Sequence, residues 1–162
     1  MKYIVFTLLI CSIIACNSSK KRVENQAIQK EGTKVLVDFN RVTDGILYGA
    51  GEEGITAGYK VVKSEEELNN LIQKMQLNNP LDINPHKGFY DEYVYIFLFD
   101  EVRGTGGYTF RVRELYQREN KIYINTQSIA PKENAQTVLT QPFTVISTTK
   151  FDMPITYLST ER

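Results

Sequence analysis

The alternation of apolar and polar residues predicts several short β-strands in the first third of the folded region. Residues 35–39 alternate in this way and are expected to form one strand, which a turn at residues 43–45 should end. Residues 46–48 and 58–62 are expected to be further short strands on either side of a glycine-rich loop.

One segment, residues 64–76, has the spacing of an α-helix rather than a strand. Ser64 is a favourable N-cap, and Glu67 three residues later completes a capping box. The apolar residues that follow lie at i, i+3, i+4 and i+7, which places them on one face: Leu68, Leu71, Ile72 and Met75. The sequence therefore predicts an amphipathic helix that ends before Pro80.

The second half of the chain contains the most strand-like sequence. Residues 93–99 form an unbroken apolar and aromatic run, which is typical of a central strand covered on both faces. Residues 108–115 alternate and predict a half-buried strand, which residues 118–120 join to the next strand as a hairpin. Further strands are expected at 121–124, at 143–147 after a polar loop, and at an edge at 155–157.

Together these patterns predict the fold class. Residues 33–162 should form a single, mainly β (α+β) domain, with one amphipathic helix at about 64–76. The architecture is expected to be an antiparallel β-sandwich or a strongly curled sheet.

The N-terminus has the pattern of a bacterial lipoprotein signal. Lys2 precedes an apolar run, residues 3–15, whose helical length of about 20 Å is short of the roughly 30 Å hydrocarbon core. The run ends in Ile13-Ile14-Ala15-Cys16, which resembles a lipobox. We therefore expect residues 1–15 to be a signal peptide and Cys16 to carry the lipid that anchors the protein to the membrane. The alternative is an ordinary cleaved signal followed by an incidental cysteine.

The residues after Cys16 are polar and predict a flexible tether over residues 16–32. This tether begins with a basic run, Lys20-Lys21-Arg22, whereas acidic residues after the cysteine often mark export to the cell surface. The pattern favours an outer-membrane lipoprotein that faces the periplasm.

Charge and cysteine content argue against several classes of function. The chain has 19 basic and 19 acidic residues, and of these only Lys2 lies before Cys16. The chain from Cys16 onward therefore has 18 basic and 19 acidic residues. Nucleic-acid binding needs a basic surplus, so it is not expected. The cysteines are Cys11 and Cys16 alone, and His86 is the single histidine. We expect no disulfide, no metal, no cofactor and no catalytic site in the mature domain.

Three short motifs have ordinary structural interpretations. Residues 49–54 match G-x-G-x-x-G, but β-like sequence follows and Glu52 and Glu53 would repel a phosphate, so a turn is expected. The acidic pairs at 91–92 and 100–101 bracket the central strand about 30 Å apart and are expected to be solvated strand ends. His86 is expected in a surface loop.

The segment Arg103-Gly104-Thr105-Gly106-Gly107-Tyr108 is the most informative one. Three glycines within four residues are poor strand formers and allow close backbone approach. One interpretation is a tight loop after the central strand. The other is a loop whose bare backbone lies against a partner.

The same region carries a family resemblance. The strand at 93–99, the sequence Thr105-Gly106-Gly107-Tyr108, the hairpin, and Gln141-Pro142-Phe143-Thr144-Val145 resemble the C-terminal domain of the PrcB-like family. The resemblance covers about residues 60–157. It implies a non-enzymatic accessory that binds a partner such as a subtilisin-like protease, because the family is named after a lipoprotein subunit of a secreted bacterial protease complex.

A fainter resemblance links Gly106-Gly107-Tyr108 and Pro142-Phe143 to chagasin-type cysteine protease inhibitors. The chain lacks the asparagine–proline start and the arginine before the second proline that those inhibitors share.

Two functional hypotheses remain open at this point. In the first, a protein partner binds one edge formed by two loops: Thr105, Gly106, Gly107 and Tyr108, with Gln141, Pro142 and Phe143. In the second, a small ligand binds between the helix and the sheet, in a pocket lined by tyrosines such as Tyr93 and Tyr95. Convergence of the two loops at an exposed edge would favour the first, and a closed apolar pocket the second.

Overall fold

A computed structural model describes residues 32–49, 51–132 and 135–161 of the chain. From Thr33 onward these residues belong to one compact unit. The predicted signal peptide, the lipidation site at Cys16 and residues 17–31 of the tether lie outside the described residues.

The described part contains strands in two sheets and two helices. The strands are β1 (Val35–Leu36), β2 (Phe39–Leu47), β3 (Gly58–Val62), β4 (Tyr93–Phe99), β5 (Thr109–Arg118), β6 (Lys121–Ile129), β7 (Gln141–Thr149) and β8 (Ile155–Glu161). The helices are α1 (Glu65–Met75) and α2 (Phe89–Glu92).

The two sheets have four strands each. The first has the order β1-β5-β6-β8 and the second the order β2-β7-β4-β3. Neighbouring strands are antiparallel except β6 and β8, which are parallel. The predicted β-sandwich with an amphipathic helix is therefore confirmed, with one parallel pair at an edge.

Strand β4 is the centre of the fold, as its apolar run predicts. It pairs with β3 on one side and β7 on the other. Val94, Ile96 and Leu98 belong to the core shared with the first sheet. The alternate residues Tyr95, Phe97 and Phe99 face a second core beneath α1. Burial on both faces explains why the run shows no polar alternation.

Helix α1 begins at the capping box that the sequence predicts and ends at a residue with left-handed backbone conformation. The backbone N–H of Glu67 donates to Ser64 Oγ at 3.2 Å, and Glu67 Oε2 accepts from the N–H of Lys63 at 2.7 Å. The predicted face is buried at Leu68, Leu71 and Met75. Gln76 then adopts a left-handed conformation with φ of 47° and ends the helix.

The hairpin between β5 and β6 is also where the sequence predicts it. Arg118 pairs with Lys121, which leaves a two-residue turn. Glu119 and Asn120 in this turn have φ of 50° and 59°, the left-handed values of a type I′ turn. The hairpin register is thereby fixed by local sequence.

The N-terminal strand prediction is wrong in two respects. The predicted strand at 35–39 is divided, because β1 pairs with β5 in the first sheet and β2 pairs with β7 in the second. The predicted turn at 43–45 lies inside β2. A Cβ at Gly45 would lie 2.3 Å from Cζ of Phe143, so this glycine makes room for the Phe143 ring rather than for a turn.

Candidate functional site

The glycine-rich segment after β4 lies beside the segment that precedes β7. The backbone N–H of Arg103 donates to the carbonyl of Thr140 at 2.7 Å, and the N–H of Thr140 donates to the carbonyl of Arg103 at 3.0 Å. The N–H of Gly106 donates to the carbonyl of Gln136 at 2.9 Å. Residues 102–107 and 136–140 therefore form one unit, here named the loop pair.

A side-chain contact strengthens this backbone pairing. Thr140 is buried, and its Oγ1 donates to the carbonyl of Thr105 at 3.1 Å. Gly107 has φ of +85°, and a Cβ at this position would lie 3.1 Å from Cβ of Pro131. The sequence Thr105-Gly106-Gly107 is thus held in one conformation by neighbours on its own chain.

An ion pair fixes the base of the loop pair. Arg103 donates from Nε to Oδ2 of Asp100 at 3.1 Å and from Nη2 to Oδ1 at 2.9 Å. The Asp100 side chain is 2% exposed and that of Arg103 is 12% exposed. A two-bond pair between a buried carboxylate and a guanidinium is among the strongest charge-assisted contacts in proteins.

The sequence-based prediction for Asp100 is wrong. Together with Glu101 it was expected to be a solvated strand end, yet its carboxylate is buried against Arg103. The N–H of Asp100 donates to the carbonyl of Pro142 at 2.8 Å, and Gln141 Nε2 donates to the carbonyl of Asp100 at 2.9 Å. Glu101 remains exposed.

The same arginine joins the loop pair to the edge of the first sheet. Nη1 of Arg103 donates to Oε2 of Glu161 in β8 at 2.9 Å. Its guanidinium carbon lies 4.7 Å from the centre of the Tyr108 ring. The hydrogen bonds to Asp100, and to a lesser degree the one to Glu161, raise the pKa of Arg103 above its ordinary value. The guanidinium lies within the distance of a cation–π contact with the Tyr108 ring.

Part of the predicted binding edge lies in the interior. Gln141, Pro142 and Phe143 belong to β7, between β2 and β4, and all three are buried. Phe143 is 0% exposed and packs near Phe99, with ring centres 6.2 Å apart. Because their side chains are buried, these residues do not offer a surface to a protein partner, and Gln141 and Pro142 instead hydrogen-bond to Asp100 at the base of the loop pair.

The exposed apolar groups of the loop pair were missed by the sequence analysis. Val102, Val138 and Leu139 are 41%, 38% and 50% exposed. Cγ1 of Val138 lies 3.2 Å from the position a Cβ would take at Gly106, so it covers that glycine. The signal that could have revealed them is the apolar pair at 138–139 inside an otherwise polar loop. Exposed apolar residues gathered in one part of a surface mark interaction sites, and the loop pair supplies these three.

Residues 94–149 match the family model described as PrcB C-terminal. The match confirms the resemblance to the PrcB-like family over this part of the chain. It runs from β4 to β7, so both halves of the loop pair lie within the PrcB C-terminal region. No curated protein and no solved structure shows significant similarity to the chain.

The tyrosines proposed to line a ligand pocket pack against α2 instead. The Tyr95 ring stacks on that of Phe89 with centres 4.4 Å apart, and the Tyr93 ring does so at 5.5 Å. Neither residue lines the cleft that lies between β2 and the end of α1. If a small ligand binds in this cleft, residues other than Tyr93 and Tyr95 must contact it.

The remaining motifs lie in loops or at element ends. The turn at residues 49–54 is closed by hydrogen bonds from the N–H of Glu52 to the carbonyl of Gly49 and from that of Gly54 to Gly51. His86 is exposed, and its Nδ1 lies 3.1 Å from the carbonyl of Lys87. The described residues contain no group of three or more potential metal ligands and no helix long and apolar enough to cross a membrane.

Proposed function

We propose that the chain is a lipid-anchored, non-catalytic subunit that binds a protease of the bacterial envelope through the loop pair. One observation supports this proposal: two segments distant in sequence join where β4 ends and β7 begins, and Val102, Val138 and Leu139 in them are exposed. The family match supports a protease as the partner, because it associates residues 94–149 with a protease-complex subunit.

The geometry of the loop pair suits a binding surface. The Arg103–Asp100 pair, the Gly106–Gln136 hydrogen bond and the Thr140–Thr105 hydrogen bond fix its conformation before any partner arrives. A surface that is already ordered loses less conformational entropy on association. The three exposed apolar side chains supply area that a partner can bury, and Tyr108, whose ring lies against Arg103, offers a half-buried aromatic ring.

The anchoring part of the proposal rests on the N-terminal sequence. Lipid on Cys16 would hold the domain at the membrane, and the basic run after it supports an outer-membrane position facing the periplasm. Residues 16–32 would then let the loop pair reach a partner near the bilayer surface.

The direct test is site-specific photo-crosslinking in the native envelope. A photoreactive amino acid replaces Leu139 in one strain and Leu36 in another. Leu36 is the matched control, since it is 67% exposed but lies on β1, in the first sheet rather than the loop pair. The proposal expects a protease to be crosslinked from position 139 and not from position 36.

A pair of charge substitutions tests the same surface by affinity capture. Leu139→Lys should abolish capture of the crosslinked protease, and Leu36→Lys should not, with melting temperatures close to wild type for both. The proposal fails if Leu139→Lys captures the protease as well as wild type does, or if position 139 crosslinks only to proteins without protease activity.

A further inference from the structure

A cleft of about 650 Å³ lies between β2 and the end of α1. Its lining includes the buried residues Leu47, Met75 and Phe143 and the partly buried apolar residues Leu77 and Leu81. Side-chain amides lie near its mouth, at Gln76, Asn78 and Asn79, all of them exposed. No residue of the loop pair lines it, so this cleft is separate from the proposed protease-binding surface.

The turn at residues 49–54 places a carboxylate in the cleft lining. Glu53 is only 7% exposed. Its Oε1 accepts a hydrogen bond from the N–H of Gly49 at 2.9 Å, but its Oε2 is buried and has no hydrogen-bond partner among the residues that the structure describes. Buried polar atoms are nearly always paired, and an unpaired carboxylate oxygen is more costly than a neutral one.

The Glu53 carboxylate lies directly against the backbone at Gly49. A Cβ at Gly49 would lie 2.5 Å from Cδ of Glu53, so only glycine lets the carboxylate rest against the main chain here. Lys74 Nζ donates to the carbonyl of Gly54 at 2.9 Å, and the ion pairs of the described residues do not include one between Lys74 and Glu53. The turn therefore presents Glu53 with one oxygen satisfied and the other without a donor.

The charged residues of the cleft lining are acidic. Among the residues that the structure describes, the lining contains Asp44 and Glu53 and no lysine or arginine. Asp44 is already paired with Arg41 and accepts from Thr144 Oγ1 at 2.6 Å, which leaves Glu53 as the carboxylate in need of a donor. Helix α1 also ends at the cleft with Met75, and the C-terminal end of a helix carries partial negative charge.

We propose that this cleft binds a small organic ammonium ion, in which a protonated amine is carried on an apolar body. The ammonium group enters beside Glu53 and donates to its Oε2, and the apolar body packs on Leu77 and Leu81, which are partly exposed. An amine is favoured over an alcohol or a carboxylate because it supplies both the missing donor and the complementary charge.

Three probes of similar size and different head group test this proposal: benzylamine, benzyl alcohol and benzoate. Each is titrated into the full-length ¹⁵N-labelled protein while the backbone amide signals of Gly49 and Asn78 are followed by NMR. Benzylamine should shift these signals saturably, whereas the other two should bind about tenfold more weakly or not at all, since one lost charge-assisted bond is worth about that factor.

Two variants separate recognition by Glu53 from general effects on folding. Glu53→Gln keeps an acceptor for the N–H of Gly49 but removes the charge, and should weaken benzylamine binding about tenfold. Asn79→Arg adds a positive charge at the exposed mouth and should weaken it without touching the core. Asn69→Arg makes the same change at an exposed position of α1 outside the cleft lining and should bind as wild type does.

Three results would overturn the ammonium site. They are no saturable shift with benzylamine, equal binding of all three probes, and a Glu53→Gln or Asn79→Arg affinity equal to that of Asn69→Arg. These measurements do not involve capture of the protease. The ammonium site and the protease-binding surface are therefore tested independently.

Discussion

At the scale of single residues, glycine has two distinct uses in this chain. Gly45 and Gly49 have no positive φ and are needed because a side chain or a carboxylate occupies the space of a Cβ. Gly107 has φ of +85°, which side-chain-bearing residues rarely adopt. A glycine-rich sequence therefore marks close packing in one place and an unusual backbone conformation in another.

The first prediction compares two glycines of the same loop. Gly107→Ala should destabilise the domain by about 1–3 kcal/mol, because alanine is strained at a positive φ and its Cβ would press on Pro131. Gly104→Ala is the control, since nothing lies within 4 Å of a Cβ there. Urea unfolding measures both. Equal midpoints for the two variants would mean that the loop adapts freely to the added methyl group.

Burial also raises the pKa of Tyr90, which lies in α2 just before the central strand β4. Burial, followed by the charges of Tyr95, Glu65 and Glu67, raises the pKa of Tyr90 to about 12 from 10.0. Within the described part of the chain, the Tyr90 hydroxyl is buried without a hydrogen-bond partner. Removing this hydroxyl therefore costs no hydrogen bond within the described structure.

The second prediction follows from the pKa of Tyr90. Between pH 10 and about 12 the unfolded chain loses this proton while the folded chain keeps it, so the free energy of unfolding should fall as the pH rises. Tyr90→Phe should make this decline shallower and should not lower stability at pH 7. Urea unfolding at several pH values measures the slope. An unchanged slope in Tyr90→Phe would contradict the raised pKa.

At the scale of elements, a single arginine joins three parts of the fold. Arg103 contacts Asp100 at the end of β4, Tyr108 before β5 and Glu161 in β8. The loop pair is therefore tied to both sheets. A change at this arginine should affect the conformation of the loop pair as well as global stability.

The third prediction concerns the loss of this ion pair. Arg103→Ala leaves the buried Asp100 carboxylate without its guanidinium and should cost about 3–5 kcal/mol in urea unfolding. Lys34→Ala removes a surface pair with Glu114, whose side chains are 44% and 40% exposed, and should hardly move the midpoint. Similar midpoints for the two variants would show that the buried pair contributes no more than the exposed one.

The elements differ in how far the sequence could predict them. Helix α1, strand β4 and the β5–β6 hairpin depend on residues within each segment, so their caps, apolar runs and turn residues are visible locally. The division of residues 35–47 between two sheets depends on which distant strand each part pairs with. No local pattern distinguishes a strand that stays in one sheet from one that crosses to the other.

At the scale of the whole molecule, the proposed membrane anchor and the proposed protease-binding surface have different origins. The anchor is a linear signal around Cys16, and the loop pair is assembled from residues 102–107 and 136–140. A variant that affects only one of them separates attachment from partner binding.

The fourth prediction tests attachment. Cys16→Ala should leave the protein unprocessed or release it from the membrane fraction, because two or three acyl chains at about 0.8 kcal/mol per methylene otherwise hold it there. Mass spectrometry of the mature N-terminus and membrane fractionation measure this. Normal processing and full membrane recovery of Cys16→Ala would contradict lipidation at this residue.

The sequence alone determined the features that neighbouring residues specify: the β-rich class, the boundaries of α1, the doubly buried β4 and the glycine-rich segment before β5. Only the tertiary structure decided that Gln141, Pro142 and Phe143 are interior, that Asp100 is buried on Arg103, and that Val138 and Leu139 are exposed beside Gly106. The physical reason is that caps, turns and apolar periodicity act within a few residues, whereas burial depends on which distant segment packs against a side chain.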